Sequence, residues 1–218
     1  MSYLIFQALE KYNSIFKFLL LVRRTQSALH SLWSDNMFRS RAGRRILWRV
    51  ELTDEEEDGV TSEDADTVVQ TRQHMIFLVD NLQYYLMADV LDTQISGLKT
   101  RLSKTTSFED AKNFHDQFVT GVQASLFLFN EPVWKCLVDT MSVCLKFTRS
   151  TRLSSQRALS AAFSQHSFLL LRLLASLRHP GLAQLLTRLD YNRFFSGKEI
   201  ANLSFPVIQP VDKLNKEQ

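Results

Sequence analysis

Apolar residues recur along most of this chain at alternating spacings of three and four, the period of one face of an α-helix. In KYNSIFKFLLLVRRTQSAL, residues 11–29, and the turns around it, Ile5, Leu9, Tyr12, Phe16 and Leu19 form one stripe, and Ile15, Phe18, Val22, Leu29 and Leu32 form a second. Two stripes predict neighbours on both sides, so a helix from about Leu4 to Phe38 is expected to be mostly buried. Between Lys17 and Arg23 run only five uninterrupted apolar residues, against about 20 needed to cross a bilayer as a helix. The chain is therefore read as having no transmembrane span. A secretory signal is also a poor fit, because Glu10 and Lys11 precede the apolar run and no small-residue cleavage site follows it.

A second helix follows the same logic. Within residues 68–91 Met75, Val79, Leu82, Leu86 and Val90 make one stripe, while Phe77, Tyr84 and Leu91 fall opposite, again predicting burial on two faces. Ile95, Leu98 and Leu102 carry the pattern to Ser103. Ser107 with Asp110 three residues on is a capping-box-like start for a helix reaching about Phe129. Asn130 and Pro132 then announce another, with Trp134, Leu137, Val138, Met141 and Leu145 inward. Leu159, Ala162, Phe163, Leu170, Leu173, Leu174 and Leu177 define the next, stopped by His179, Pro180 and Gly181. A short helix to about Phe195 and a flexible tail, 196–218, complete the reading. The expected fold is all-α: a bundle of about six helices forming one domain, 1–195.

Composition alters this picture at one place. Of the chain's 23 acidic residues nine fall within 51–66, where there is no base, so the rest of the chain sets 26 bases against 14 acids, a net +12. Five arginines, Arg39, Arg41, Arg44, Arg45 and Arg49, precede the acidic run. Residues 39–66 are thus expected to form a charged, disordered insertion after the first helix. The basic remainder favours an acidic partner. Cys136 and Cys144 lie on one predicted helix, about 12 Å apart along its axis, too far for a disulfide, which fits a reducing compartment.

Signals for chemistry are sparse. There is no Gly-x-Gly pair, Walker-type loop, His-Glu-x-x-His or Cys-x-x-Cys, so neither cofactor, metal nor catalytic residue is expected. Both cysteines sit in apolar helical surroundings and read as structural. His115, in the stripe Phe108, Ala111, His115, Phe118 and Val122, reads as a core histidine holding one hydrogen bond. A polar and aromatic group, Asp80, Asn81, Gln83, Tyr84 and Tyr85, reads either as satisfied packing or as a partner surface.

Four ordered stretches, KYNSIFKFLLLVRRTQSALHSLW, FLVDNLQYYLMADVLD, SFEDAKNFHDQFV and AQLLTRLDYNRFF, resemble the C-terminal half of the gamma-tubulin complex proteins. The resemblance spans residues 8–195. It implies a helical gamma-tubulin-binding domain without catalytic activity, working with other complex components in a microtubule-nucleating ring at the centrosome or spindle pole. The family's N-terminal half, which mediates side-by-side packing of subunits, is not represented in these residues, and lateral assembly is expected to depend on it. Asn13, Lys17, Arg23 and Arg24 fall between the stripes of the first helix and, with Asp80, Asn81, Gln83, Tyr84 and Tyr85, are the candidate gamma-tubulin contacts.

The alternative from a different class is a basic helical module that binds nucleic acid through Arg39, Arg41, Arg44, Arg45, Arg49 and the surface lysines, or a general protein-interaction module. No recognition helix-turn-helix or zinc module accompanies those arginines, and the adjacent acidic run would repel phosphate. The preferred reading includes neither a nucleic-acid nor a membrane partner.

Overall fold

The computed structural model describes residues 2–41, 62–150, 152–177 and 180–191. Its elements are α1 (Ser2–Arg41), α2 (Ser62–Tyr84), a π-helical segment (Tyr85–Asp92), α3 (Thr93–Leu102), α4 (Phe108–Ser125), α5 (Glu131–Arg149), α6 (Leu153–Ser176) and α7 (Pro180–Leu189). Because α2, the π segment and α3 run on without a break, the described residues form six helical rods, as the periodicity predicts.

The caps lie where the sequence places them. Ser107 Oγ accepts from Asp110 N and Asn130 Oδ1 from Val133 N, so each satisfies one of the amides that a helix start leaves unpaired. Several boundaries differ. The helix expected to reach Phe129 ends at Ser125, since Phe127 adopts a left-handed backbone, φ 62°, which a residue with a Cβ reaches only at some cost. That turn buries the Phe127 ring against Tyr85, centroids 6.1 Å apart. Pro180 opens α7 rather than closing α6, and the last helix stops at Leu189 instead of Phe195. The charged insertion narrows on both sides: α1 extends to Arg41 and α2 begins at Ser62. Residues 42–61 and the tail, 196–218, lie outside the described residues.

The core collects Phe18, Val22 and Leu29 of α1, Met75, Val79, Leu82 and Leu86 of α2 and the π segment, Val122 of α4, Leu137, Met141 and Cys144 of α5, and Leu170 and Leu174 of α6. The stripe read for α5 is rotated slightly: Val133, Leu137, Thr140 and Cys144 face inward while Trp134 lies at the edge, its ring 4.9 Å from Phe18. By length and hydropathy α6 alone among the described helices is a candidate span. It instead lies along α5 in the most extensive helix contact of the fold, with Gln156, Ser160 and Ser167 buried in its inner face, and so reads as a core helix.

The two-sided burial expected of α1 and α2 is not found. α1 packs on α2, α4 and α5 chiefly through the stripe of Phe18 and Val22, with Leu19 of the other stripe partly buried at its edge. Leu9, Tyr12 and Phe16 of its other stripe are exposed, as are Phe77 and Tyr84 of α2. Periodicity identifies an apolar face, but whether anything covers it depends on how segments distant in sequence pack.

Candidate partner-binding surface

The exposed face of α1 is built from its register. At 100° per residue Phe6, Leu9, Asn13, Phe16 and Leu20 lie opposite the buried Phe18, Val22 and Leu29, and all five are open to solvent, Phe16 at 62%. Lys17, Arg23 and Arg24 are exposed beside and beyond them. The edge toward α4 is fixed by Tyr12, whose hydroxyl lies 2.9 Å from His115 Nε2. Partial burial raises the Tyr12 pKa. His115 therefore holds the single hydrogen bond expected of it, but at the partly exposed rim of α4 rather than in the core.

Toward α2 a polar relay crosses the helices. Arg23 Nη1 donates to Gln26 Oε1 at 2.6 Å, and Gln26 Nε2 donates to Asp80 Oδ1 at 2.8 Å, where His30 Nε2 also lies within 3.2 Å. Two residues singled out on separate helices, Arg23 and Asp80, are thus brought into one surface group. Asn81 turns back on its own helix, Nδ2 donating to the Phe77 carbonyl. Gln83 is half-buried. Tyr84 is 56% exposed, with the Arg188 guanidinium 4.5 Å from its ring centroid.

Tyr85 does not share this surface. It is 2% exposed, its hydroxyl donates to the Ser125 carbonyl at the end of α4, and burial together with the nearby charge of Asp89 pushes its pKa up to about 12. Its role is to tie the π segment to the α4–α5 turn. Of the apolar members of the α1 face, Leu9 and Phe16 belong to a stripe that reads as core, and Phe6 and Leu20 fall in neither stripe, so periodicity marks none of the four as surface.

Among the described residues no group of three His, Cys, Asp or Glu side chains is placed to hold a metal ion. A shallow recess between α3 and α4 is lined by Gln94, Gly97, Leu98, Arg101 and Phe114, with Arg101 donating to Gln117 and lying over the Phe114 ring. It gathers no acid–base pair. Cys136 and Cys144 are buried free thiols whose pKa values are raised by burial, Cys144 to about 12, which disfavours the thiolate a nucleophile needs. Of the arginines in the nucleic-acid alternative, Arg44, Arg45 and Arg49 lie outside the described residues.

The described helices thus leave one apolar and basic face of α1 exposed. The model of the gamma tubulin complex component C-terminal family matches residues 3–195, and the chain belongs to that family. It is 37% identical to gamma-tubulin complex component 4 of Homo sapiens over 206 residues, 86% of this chain and 28% of that protein. Identity is 27% to the gamma-tubulin complex component 4 homolog of Medicago truncatula over 218 residues, 92% of this chain and 29% of that one. It is 24% to spindle pole body component 98 of Dictyostelium discoideum over 140 residues, 63% of this chain and 16% of that protein. The chain thus spans less than a third of the length of these relatives.

Proposed function

We propose that this chain is a non-enzymatic scaffold that holds gamma-tubulin and acts with other gamma-tubulin complex components in microtubule nucleation at the microtubule organizing center. The observation that carries the reading is the outer face of α1. Family membership makes gamma-tubulin the expected partner, and the segment KYNSIFKFLLLVRR divides into a stripe that builds the bundle and an exposed one bearing Asn13, Lys17, Arg23 and Arg24. Tubulins are acidic, so a basic surface of this kind favours them over basic or neutral partners. The contribution is geometric: binding energy fixes the orientation of gamma-tubulin for the addition of further tubulin, and no bond chemistry is involved.

The test is a pull-down of gamma-tubulin by the purified chain across a salt series, with the double substitution R23E and R24E. One-to-one capture that weakens with salt, and weakens further in the double variant, supports the reading. Folded protein that captures no gamma-tubulin at low salt overturns it.

A further inference from the structure

The exposed face of α1 is also a heptad. Phe6, Leu9, Asn13, Phe16 and Leu20 step alternately by three and four, and Arg23 and Ser27 continue the series. This is the 3.5-residue period by which one helix packs along another. Among the described residues the rest of the bundle packs on the opposite side and along the Tyr12 edge of α1, so the seam is exposed over about 21 Å between Phe6 and Leu20 at 1.5 Å per residue. Asn13 stands at its middle. A single polar residue at such a position lowers stability but fixes register. Along one flank, seven residues apart, stand Glu10, Lys17 and Arg24, all exposed.

We propose that this face pairs with the same face of a second copy of the chain, antiparallel about a two-fold axis. The inference does not depend on gamma-tubulin binding. In one register Leu9 lies opposite the partner's Leu20 and Asn13 opposite the partner's Phe16, with the reciprocal contacts generated by symmetry. Phe6 then meets the partner's Arg23, whose guanidinium suits an aromatic face. Glu10 comes within about one half-turn of the partner's Lys17, and this pair also occurs twice. Sliding the helices by one heptad in one direction sets Glu10 against the partner's Glu10 and leaves Leu20 without an apolar neighbour. Sliding them the other way opposes the two Lys17 side chains and strands Leu9. Parallel pairing places Tyr12 and Leu19, rather than an acid, beside the basic flank. Each of the three antiparallel registers pairs two apolar residues, but this one alone sets both Glu10 and Lys17 against an opposite charge, and what it matches is the face itself, the requirement of an isologous contact.

Sedimentation velocity of the purified chain from micromolar to near-millimolar concentration tests this. The expected result is a reversible monomer–dimer equilibrium that Phe16→Glu abolishes while helicity and thermal melting stay as in the parent. E10K and K17E each place like charges across the seam twice and should each weaken the dimer by about tenfold. The E10K and K17E double variant exchanges the charges and should restore it. Leu169→Glu, on an exposed position of α6, should leave it unchanged. A monomer at every concentration overturns the proposal. So does a dimer indifferent to Phe16→Glu, or a double variant no tighter than either single one.

Discussion

Arg188 of α7 donates through Nη1 to the Asp89 carboxylate at 2.8 Å, joining residues 99 apart in sequence, and a second bond from Nη2 reaches the other carboxylate oxygen at 3.4 Å. The guanidinium also covers one face of Tyr84. Leu182, Leu185 and Leu189 bury the apolar side of α7, but apolar contact alone leaves a short helix free to rotate, whereas the two-pronged ion pair fixes its setting on the π segment. Both partners are mostly shielded, at 29% and 22% side-chain exposure. Arg188→Ala should therefore cost about 1–3 kcal/mol in urea denaturation, and Asp89→Asn less. An unchanged midpoint in both would show that α7 is held by its leucines alone.

The two stripes of α1 should respond to truncation in opposite ways. Phe18 is buried against Trp134, so Phe18→Ala should destabilise the fold by about 3–5 kcal/mol. Phe16, two residues earlier, faces solvent, and Phe16→Ala should stay within about 0.5 kcal/mol of the parent at concentrations where the chain is monomeric. Comparable losses in thermal melts would mean that the outer stripe is covered after all.

Stability should fall in strong alkali for an identifiable reason. A free tyrosine ionises near pH 10, while Tyr85 is held up to about 12 by burial and by Asp89. Between these values the unfolded chain releases the proton and the folded chain keeps it, so stabilisation is complete below pH 10 and declines as pH rises toward 12, by at most about 1.4 kcal/mol per unit for one group. Cys144, raised from 9 to about 12, acts in the same direction from pH 9 upward. Urea midpoints across this range should drop less steeply in a Y85F and C144A variant; parallel curves would assign the loss to other groups.

Thiol reactivity gives an independent reading of the core. Cys144 is fully enclosed, and Cys136 is buried with Sγ donating to the His166 carbonyl at 3.5 Å. Neither should react with an aromatic disulfide reagent at neutral pH until the chain unfolds, when both should be titrated. Prompt modification of either one under native conditions would be incompatible with this packing.

The sequence was most informative where a local rule suffices. Ser107 and Asn130 announce helix starts because capping involves only the next three residues, and Met75, Val79, Leu82 and Leu86 line up because one helix period places them together. It was least informative where a distant segment decides. Nothing near Phe127 signals its left-handed backbone, since that conformation is stabilised by burial against Tyr85, some forty residues away. Tyr84 and Tyr85 are chemically similar neighbours, yet one lies under Arg188 at the surface and the other reaches Ser125 inside. The candidate surface was half legible: Lys17, Arg23 and Arg24 are exposed as charge predicts, whereas Leu9 and Phe16 have the composition of core and lie at the surface because none of the described helices packs over them.

The heptad on α1 sets a limit on how abundance translates into availability. Asn13 and Lys17 belong both to the proposed self-pairing seam and to the proposed gamma-tubulin contacts, so one copy cannot serve both at once. In the range where self-pairing dominates, free copies increase only as the square root of the total, by mass action. A fourfold rise in synthesis would then merely double the competent pool, and gamma-tubulin would draw from a reservoir that resists surplus.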